Sequence, residues 1–300
     1  MPEANSHLRL EVFVTPAKPI NPSFLPNAPE GGLTWPPTTA TLISGRHDAV
    51  LVDALFTRDE AHDLGRWIAA SGKRLTTIYI THGHSDHYFG LTTLREQFPT
   101  AKVVALPSVA NAIDPGGVGL SPVARAKAMF GDQVPDHPVR PEPMDSPGIK
   151  LEGHDLVTME MGRSDADIST ILYVPSLRAV VAGEIAYNDV HVNVAATNRA
   201  GRQAWIDALK KIAGLGPVTV VAGHKRPGFD DGPRILGETI TYLEDFDRCL
   251  AASSSAGELI RTMLELHGGR MNPTTLWNAA HIVFAAERTD AKAERSNGSV

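Results

Sequence analysis

Between Ile80 and Gly90 the chain reads ITHGHSDHYFG, which places His82, His84, Asp86 and His87 directly behind the apolar run LTTIYI. Imidazole nitrogens and carboxylate oxygens are the donors that hold zinc and related first-row divalent ions. In an extended loop, residues two apart point the same way, so His82 and His84 can face one ion while Asp86 and His87 turn toward a neighbouring position. That spacing suits a two-metal site. The only cysteine is Cys249, so neither a multi-thiolate site nor an intrachain disulfide is open to this chain, and any metal must be held by nitrogen and oxygen.

The elements that must position this loop alternate between strand and helix. TATLIS and AVLVDA flank the turn-forming GRHD as a hairpin. TRDEAHDLGRWIAASGK follows, with apolar Ala61, Leu64, Trp67 and Ile68 on one helical face. LTTIYI is then a strand, YFGLTTLREQF a helix, KVVAL a strand and PSVANAI a short helix. Beyond a Pro- and Gly-rich connection from Asp114 to Gly148, the segments IKLEGHDLVTMEMG, STILYVP and AVVAGE read as three consecutive strands, with VTVVAG closing the series. Two runs of strands followed by helices predict an α/β domain of two similar halves facing one another. Prolines 16, 19, 22, 26, 29, 36 and 37 make residues 1–37 an irregular segment, since proline gives no amide to a ladder. Residues 38–230 form the main domain, residues 231–286 are helices packed on it, and the polar residues 287–300 are expected to fray.

Composition bounds the partners. Hydrophobic residues make up 42% of the 300 residues, enough for a substantial core, and 28 Lys and Arg against 34 Asp and Glu give a net charge of −6. Without a basic stripe, nucleic acid is not an expected partner. No signal-like leader and no apolar window of about 20 residues is present, so the expectation is a cytoplasmic protein with no membrane span and a small-molecule substrate. Oligomeric state is not legible.

The loop resembles the metal-binding motif of the metallo-β-lactamase superfamily, over roughly residues 38 to 230. The resemblance implies an αββα sandwich of two mixed sheets with a C-terminal helical extension. It also implies a zinc centre, or one of iron or manganese, between the sheets. Further ligands are expected at later strand ends: Glu184 in VVAGE, where relatives show a bridging aspartate, and His224 in VVAGHKRPG, where they show a closing histidine. His82, His84, Asp86, His87, Glu184 and His224 are thus the expected metal ligands, with His191 and His154 as less definite neighbours.

The chain departs from the pattern at Arg163, which stands in MGRSDADIS where relatives carry a third histidine. A guanidinium has no acceptor and cannot ligate a cation. Its charge predicts one ion per chain rather than two, unless Asp165 or Asp167 rebuilds the first position. The activity implied is hydrolysis of a small ester, lactone, thioester or amide by a metal-activated water. Asp86 would handle the proton, Arg163 would stabilise the oxyanion, and Tyr187 would resemble the tyrosine that acyl-homoserine lactonases place beside the substrate carbonyl. The alternative is a metal-poor, catalytically degenerate binding protein.

Overall fold

A computed structural model describes residues 8–21, 33–113 and 121–297, with side chains to residue 286. Strands of continuous apolar character, such as Asp48–Val52 with its last four residues buried, must be covered on both faces, and that requirement sets the architecture. The first sheet has the order Arg9–Val14, Thr39–Ser44, Asp48–Val52, Arg74–Tyr79, Lys102–Ala105, Glu142–Pro143. Its first two pairings are antiparallel and the rest parallel. The second runs Thr219–Val221, Ala179–Val181, Ser169–Val174, His154–Gly162, Gly148–Leu151, with only the first pairing parallel.

Alternation within each strand sorts the core into layers. Val50, Val52 and Tyr79 of the first sheet meet Leu172, Val174 and Val221 of the second, which is the interior of a sandwich. The opposite face of the first sheet, through Leu51 and Ile78, packs on Leu64 and Ile68 of the helix Arg58–Ala70 and Leu94 of Leu91–Gln97. The outer face of the second, through Ile171 and Val180, packs on Trp205 and Leu209 of Arg199–Gly214 and Tyr242 and Phe246 of Arg234–Ala252. Helices Ala256–His267 and Pro273–Asn297 complete that layer. The result is the expected helix–sheet–sheet–helix sandwich. Among the described residues no helix is long and apolar enough to cross a membrane.

Four details differ from the sequence reading. The segment expected to be irregular contains the edge strand Arg9–Val14, paired along its length with Thr39–Ser44, because no proline falls between Pro2 and Pro16; residues 1–7 and 22–32 lie outside the described residues. IKLEGHDLVTMEMG is two strands, turned at Glu152 and Gly153, both with positive φ. The 114–148 connection contains the helix Pro122–Phe130, begun by a Ser121 cap that accepts from the Ala124 amide, while residues 114–120 are outside the described set. The last helix continues to Asn297, past the expected end at residue 286, and residues 298–300 lie outside the described residues.

Candidate metal centre

The histidine loop leaves the strand Arg74–Tyr79 at an open edge where the two sheets touch. Thr170 of the second sheet donates its amide to the Thr81 carbonyl at 3.1 Å and its hydroxyl to the same oxygen at 2.7 Å. His82 and His84 lie on the extended part, as expected. Ser85–Tyr88 then winds into one helical turn, and that turn swings Asp86 and His87 to the adjacent position. Glu184 and His224 arrive from the second sheet on two Ala-Gly-X strand ends that nearly touch. The Gly223 amide donates to the Gly183 carbonyl at 2.7 Å, and a Cβ on Gly223 would meet the Gly183 carbonyl carbon at 2.8 Å. Gly183 adopts a φ of +53°, which favours glycine. Only glycine at both positions lets the two donor residues come side by side.

All six expected ligands converge. His224 Nε2 is 2.6 Å from Glu184 Oε1 and 3.5 Å from Asp86 Oδ2, and His87 Nε2 is 3.1 Å from the same Glu184 oxygen. The other Glu184 oxygen, Oε2, lies 2.7 Å from His84 Nδ1 and 3.4 Å from His82 Nε2. Glu184 therefore addresses both positions, one oxygen to each, as its added methylene permits.

These residues fit a divalent ion. Donors at tetrahedral zinc distances are separated from one another by about 3.3 Å, close to several of the spacings here. His82 Nε2 is buried and makes no hydrogen bond, an orphaned donor atom aimed into the cluster. The far sides of three of the rings are anchored, as is common for metal-binding histidines. His82 Nδ1 meets the Thr81 hydroxyl at 2.9 Å, His87 Nδ1 the Asp53 carboxylate at 2.9 Å, and His224 Nδ1 the Pro37 carbonyl at 3.0 Å.

Electrostatics point the same way. Low-dielectric surroundings press the His84 imidazole down, but Glu184 and Asp165 outweigh them and hold it up at about 10. Burial also opposes charge on His87, yet Asp53 and Asp86 keep it well above its ordinary value. His82, deeply buried beside the other imidazoles, is pushed down. Burial and the neighbouring Glu184 raise the Asp165 carboxyl well above the usual range. A cluster this rich in carboxylate draws protons onto its histidines, and a cation would satisfy the same field.

Two contributors escaped the sequence reading. Asp53, at a strained φ of +63° beyond Val52, accepts from the Thr81 amide at 2.9 Å while holding His87. Trp35 donates its indole N–H to Asp86 Oδ2 at 3.1 Å. An acid closing the buried strand AVLVDA was the one local signal for Asp53; Trp35 had none.

Arg163 is not in the centre. Its guanidinium pairs with Asp167 at 2.6 Å, donates to the Ala196 carbonyl at 3.2 Å and is 44% exposed. The cause is a register shift between Glu160 and Gly162, with Gly162 at a φ of +81°, which re-aims the residues that follow. The positive charge expected to empty the first position is therefore turned away from it. Asp165 turns inward instead, fully buried. Tyr187 is also buried at the cluster, its ring 5.5 Å from His224. His191 is fully buried against Tyr242, and His154 opens its strand at the end remote from Gly162. His7 lies outside the described residues, and among the described ones His47, His62, His137, His267 and His281 join no donor cluster.

A cavity of about 340 Å³ opens onto His84, Asp86, Glu184 and His224. Trp35, Phe56 and Met129 give it apolar walls, and Asn193 and Asn278 add polar points. Met129 belongs to the helix inside the 114–148 connection and Asn278 to the last helix, so both segments wall the cavity.

Solved structures share this architecture. A metallo-beta-lactamase family protein from Thermus thermophilus is 19% identical, with 93% of this chain and 94% of that one covered at a TM-score of 0.58. The metallo-beta-lactamase from Pontibacter korlensis is 19% identical, with 79% and 100% covered at 0.54. FIM-1 from Pseudomonas aeruginosa, in its mono-zinc form, is 15% identical, with 79% and 91% covered at 0.52. Identities this low establish fold alone. No curated protein matches the sequence. Residues 33–224 match the metallo-beta-lactamase superfamily, a span that begins before the first hairpin and closes on His224 itself. The match spans more than half of the chain and every donor-bearing loop, and the chain belongs to the metallo-beta-lactamase superfamily.

Proposed function

We propose that the protein is a metal-dependent hydrolase of a small ester, lactone, thioester or amide, with zinc as the resident metal. The observation that carries this reading is the convergence of Asp86, His87, Glu184 and His224 at the floor of a cavity with apolar walls. Bound there, a divalent ion would polarise a carbonyl and acidify water. The protein's own groups do the rest. Trp35, Phe56 and Met129 take the apolar body of the substrate and exclude bulk solvent. Asp86, fixed by the Trp35 indole, faces the cavity as the base that orients the attacking water and takes its proton. Tyr187 lines the same cavity beside His224, where it would face the substrate carbonyl.

The test is hydrolysis of a panel of small aryl esters, lactones, thioesters and amides by protein purified without chelator, with metal content measured in parallel. The expected result is turnover of at least one class, abolished by chelation and restored by zinc. Protein that binds no zinc, iron or manganese and turns over no substrate would refute the reading in favour of a metal-poor binding protein, and turnover indifferent to chelation would refute its metal dependence.

A further inference from the structure

Relatives of the motif complete the first metal position with a histidine at the place held here by Arg163, and Arg163 faces away. Within the site the unassigned donor is Asp165. Its side chain is fully buried and both oxygens are held: the Ser164 hydroxyl donates to Oδ1 at 3.1 Å and the Tyr187 hydroxyl to Oδ2 at 2.9 Å. Oδ2 also lies 3.7 Å from His84 Nδ1, near the separation of neighbouring ligands on one ion. It still has a lone pair to offer. The orphaned, fully buried His82 Nε2 stands 3.4 Å from Glu184 Oε2, the same oxygen that lies 2.7 Å from His84 Nδ1. Asp167, the other acid of this segment, is 81% exposed and committed to Arg163.

We propose that Asp165 is a metal ligand, replacing the missing histidine at the first position, so that His82, His84, Asp165 and one oxygen of Glu184 hold a second divalent ion. The same strand-end bulge that expels Arg163 delivers Asp165. Tyr187 is then a positioning residue for this carboxylate, whatever it also does toward substrate. Each position receives two imidazoles and two carboxylate oxygens, a donor set for a divalent ion of borderline hardness. The inference rests on the metallo-hydrolase reading and adds the stoichiometry of its centre.

The full-length protein is stripped with a chelator, reloaded with zinc chloride and desalted. Bound zinc is counted by mass spectrometry, and its release into a chromophoric chelator is followed in time. The parent and Arg163→Ala should each hold two ions and Asp165→Asn one, the retained ion leaving at the rate of the parent's other ion. A parent with one ion, or an Asp165→Asn variant that keeps two with unchanged release, overturns the ligand assignment and leaves the hydrolase reading standing. A parent with none overturns both. Should Asp165→Asn lose both ions, Tyr187→Phe decides, because it keeps the carboxylate and removes only the donor that orients it. Release of one ion about 10-fold faster than in the parent supports the assignment, and unchanged release of both overturns it.

Discussion

Asp53 and His87 are joined by a 2.9 Å hydrogen bond between Oδ2 and Nδ1, and the same carboxylate accepts from the Thr81 amide one strand away. One acid thus fixes both the orientation of an expected ligand and the point at which the histidine loop leaves its strand. Asp53→Ala should weaken zinc binding by about 10- to 100-fold, the usual cost of removing an orienting carboxylate behind a histidine ligand. Competition with a chelator of known affinity measures this, and an unchanged affinity would show that the loop backbone alone orients His87.

Arg163 carries its charge outward onto Asp167 and the Ala196 carbonyl. Arg163→Ala should leave kcat within about twofold of the parent, as expected for an exposed side chain away from the reacting groups. Oxyanion stabilisation by Arg163 would instead lower kcat by about 10-fold or more with metal retained, so single-turnover kinetics separate the two.

Arg202 is fully buried, paired with Asp247 at 2.5 Å, and stacked 5.4 Å from the Phe246 ring. Asp247→Ala leaves that charge without its counterion and should cost about 3 kcal/mol, at the low end for a broken buried pair because Asp247 is partly exposed. Replacing both partners, as Arg202→Met with Asp247→Leu, should cost less than the single change. Urea midpoints give the comparison, and a double variant less stable than Asp247→Ala would refute it.

His191 is buried against the Tyr242 hydroxyl at 3.0 Å. Burial first, then the charges of Arg270 and His267, press its pKa from the ordinary 6.5 down to about 3. The folded ring stays neutral where the unfolded one takes a proton, so its contribution to stability is complete above about pH 6.5 and is lost as pH falls toward 3. Between pH 7 and 5 the loss from this group is about 2 kcal/mol. His191→Gln should flatten the acid limb of the stability profile by a similar amount, and a profile parallel to the parent's would place the acid sensitivity elsewhere.

The sequence, with the resemblance it carries, determined the sandwich and the six residues that converge at its edge. Runs such as TATLIS and AVLVDA must be buried on both sides, and the spacing of His82, His84, Asp86 and His87 keeps them on one short loop whatever surrounds it. Glu184 and His224 were legible only through the resemblance, since each follows a strand on the Ala-Gly step where relatives carry a ligand. Tertiary structure alone decided Arg163, Asp165, Asp53 and Trp35. A single-residue shift at Glu160 and Gly162 reverses which side chain after the strand faces inward, and no pattern within MGRSDADIS encodes it. Asp53 and Trp35 lie 34 and 51 residues from His87 and Asp86, the groups they hold, so their roles exist only once the sheets have brought those segments together.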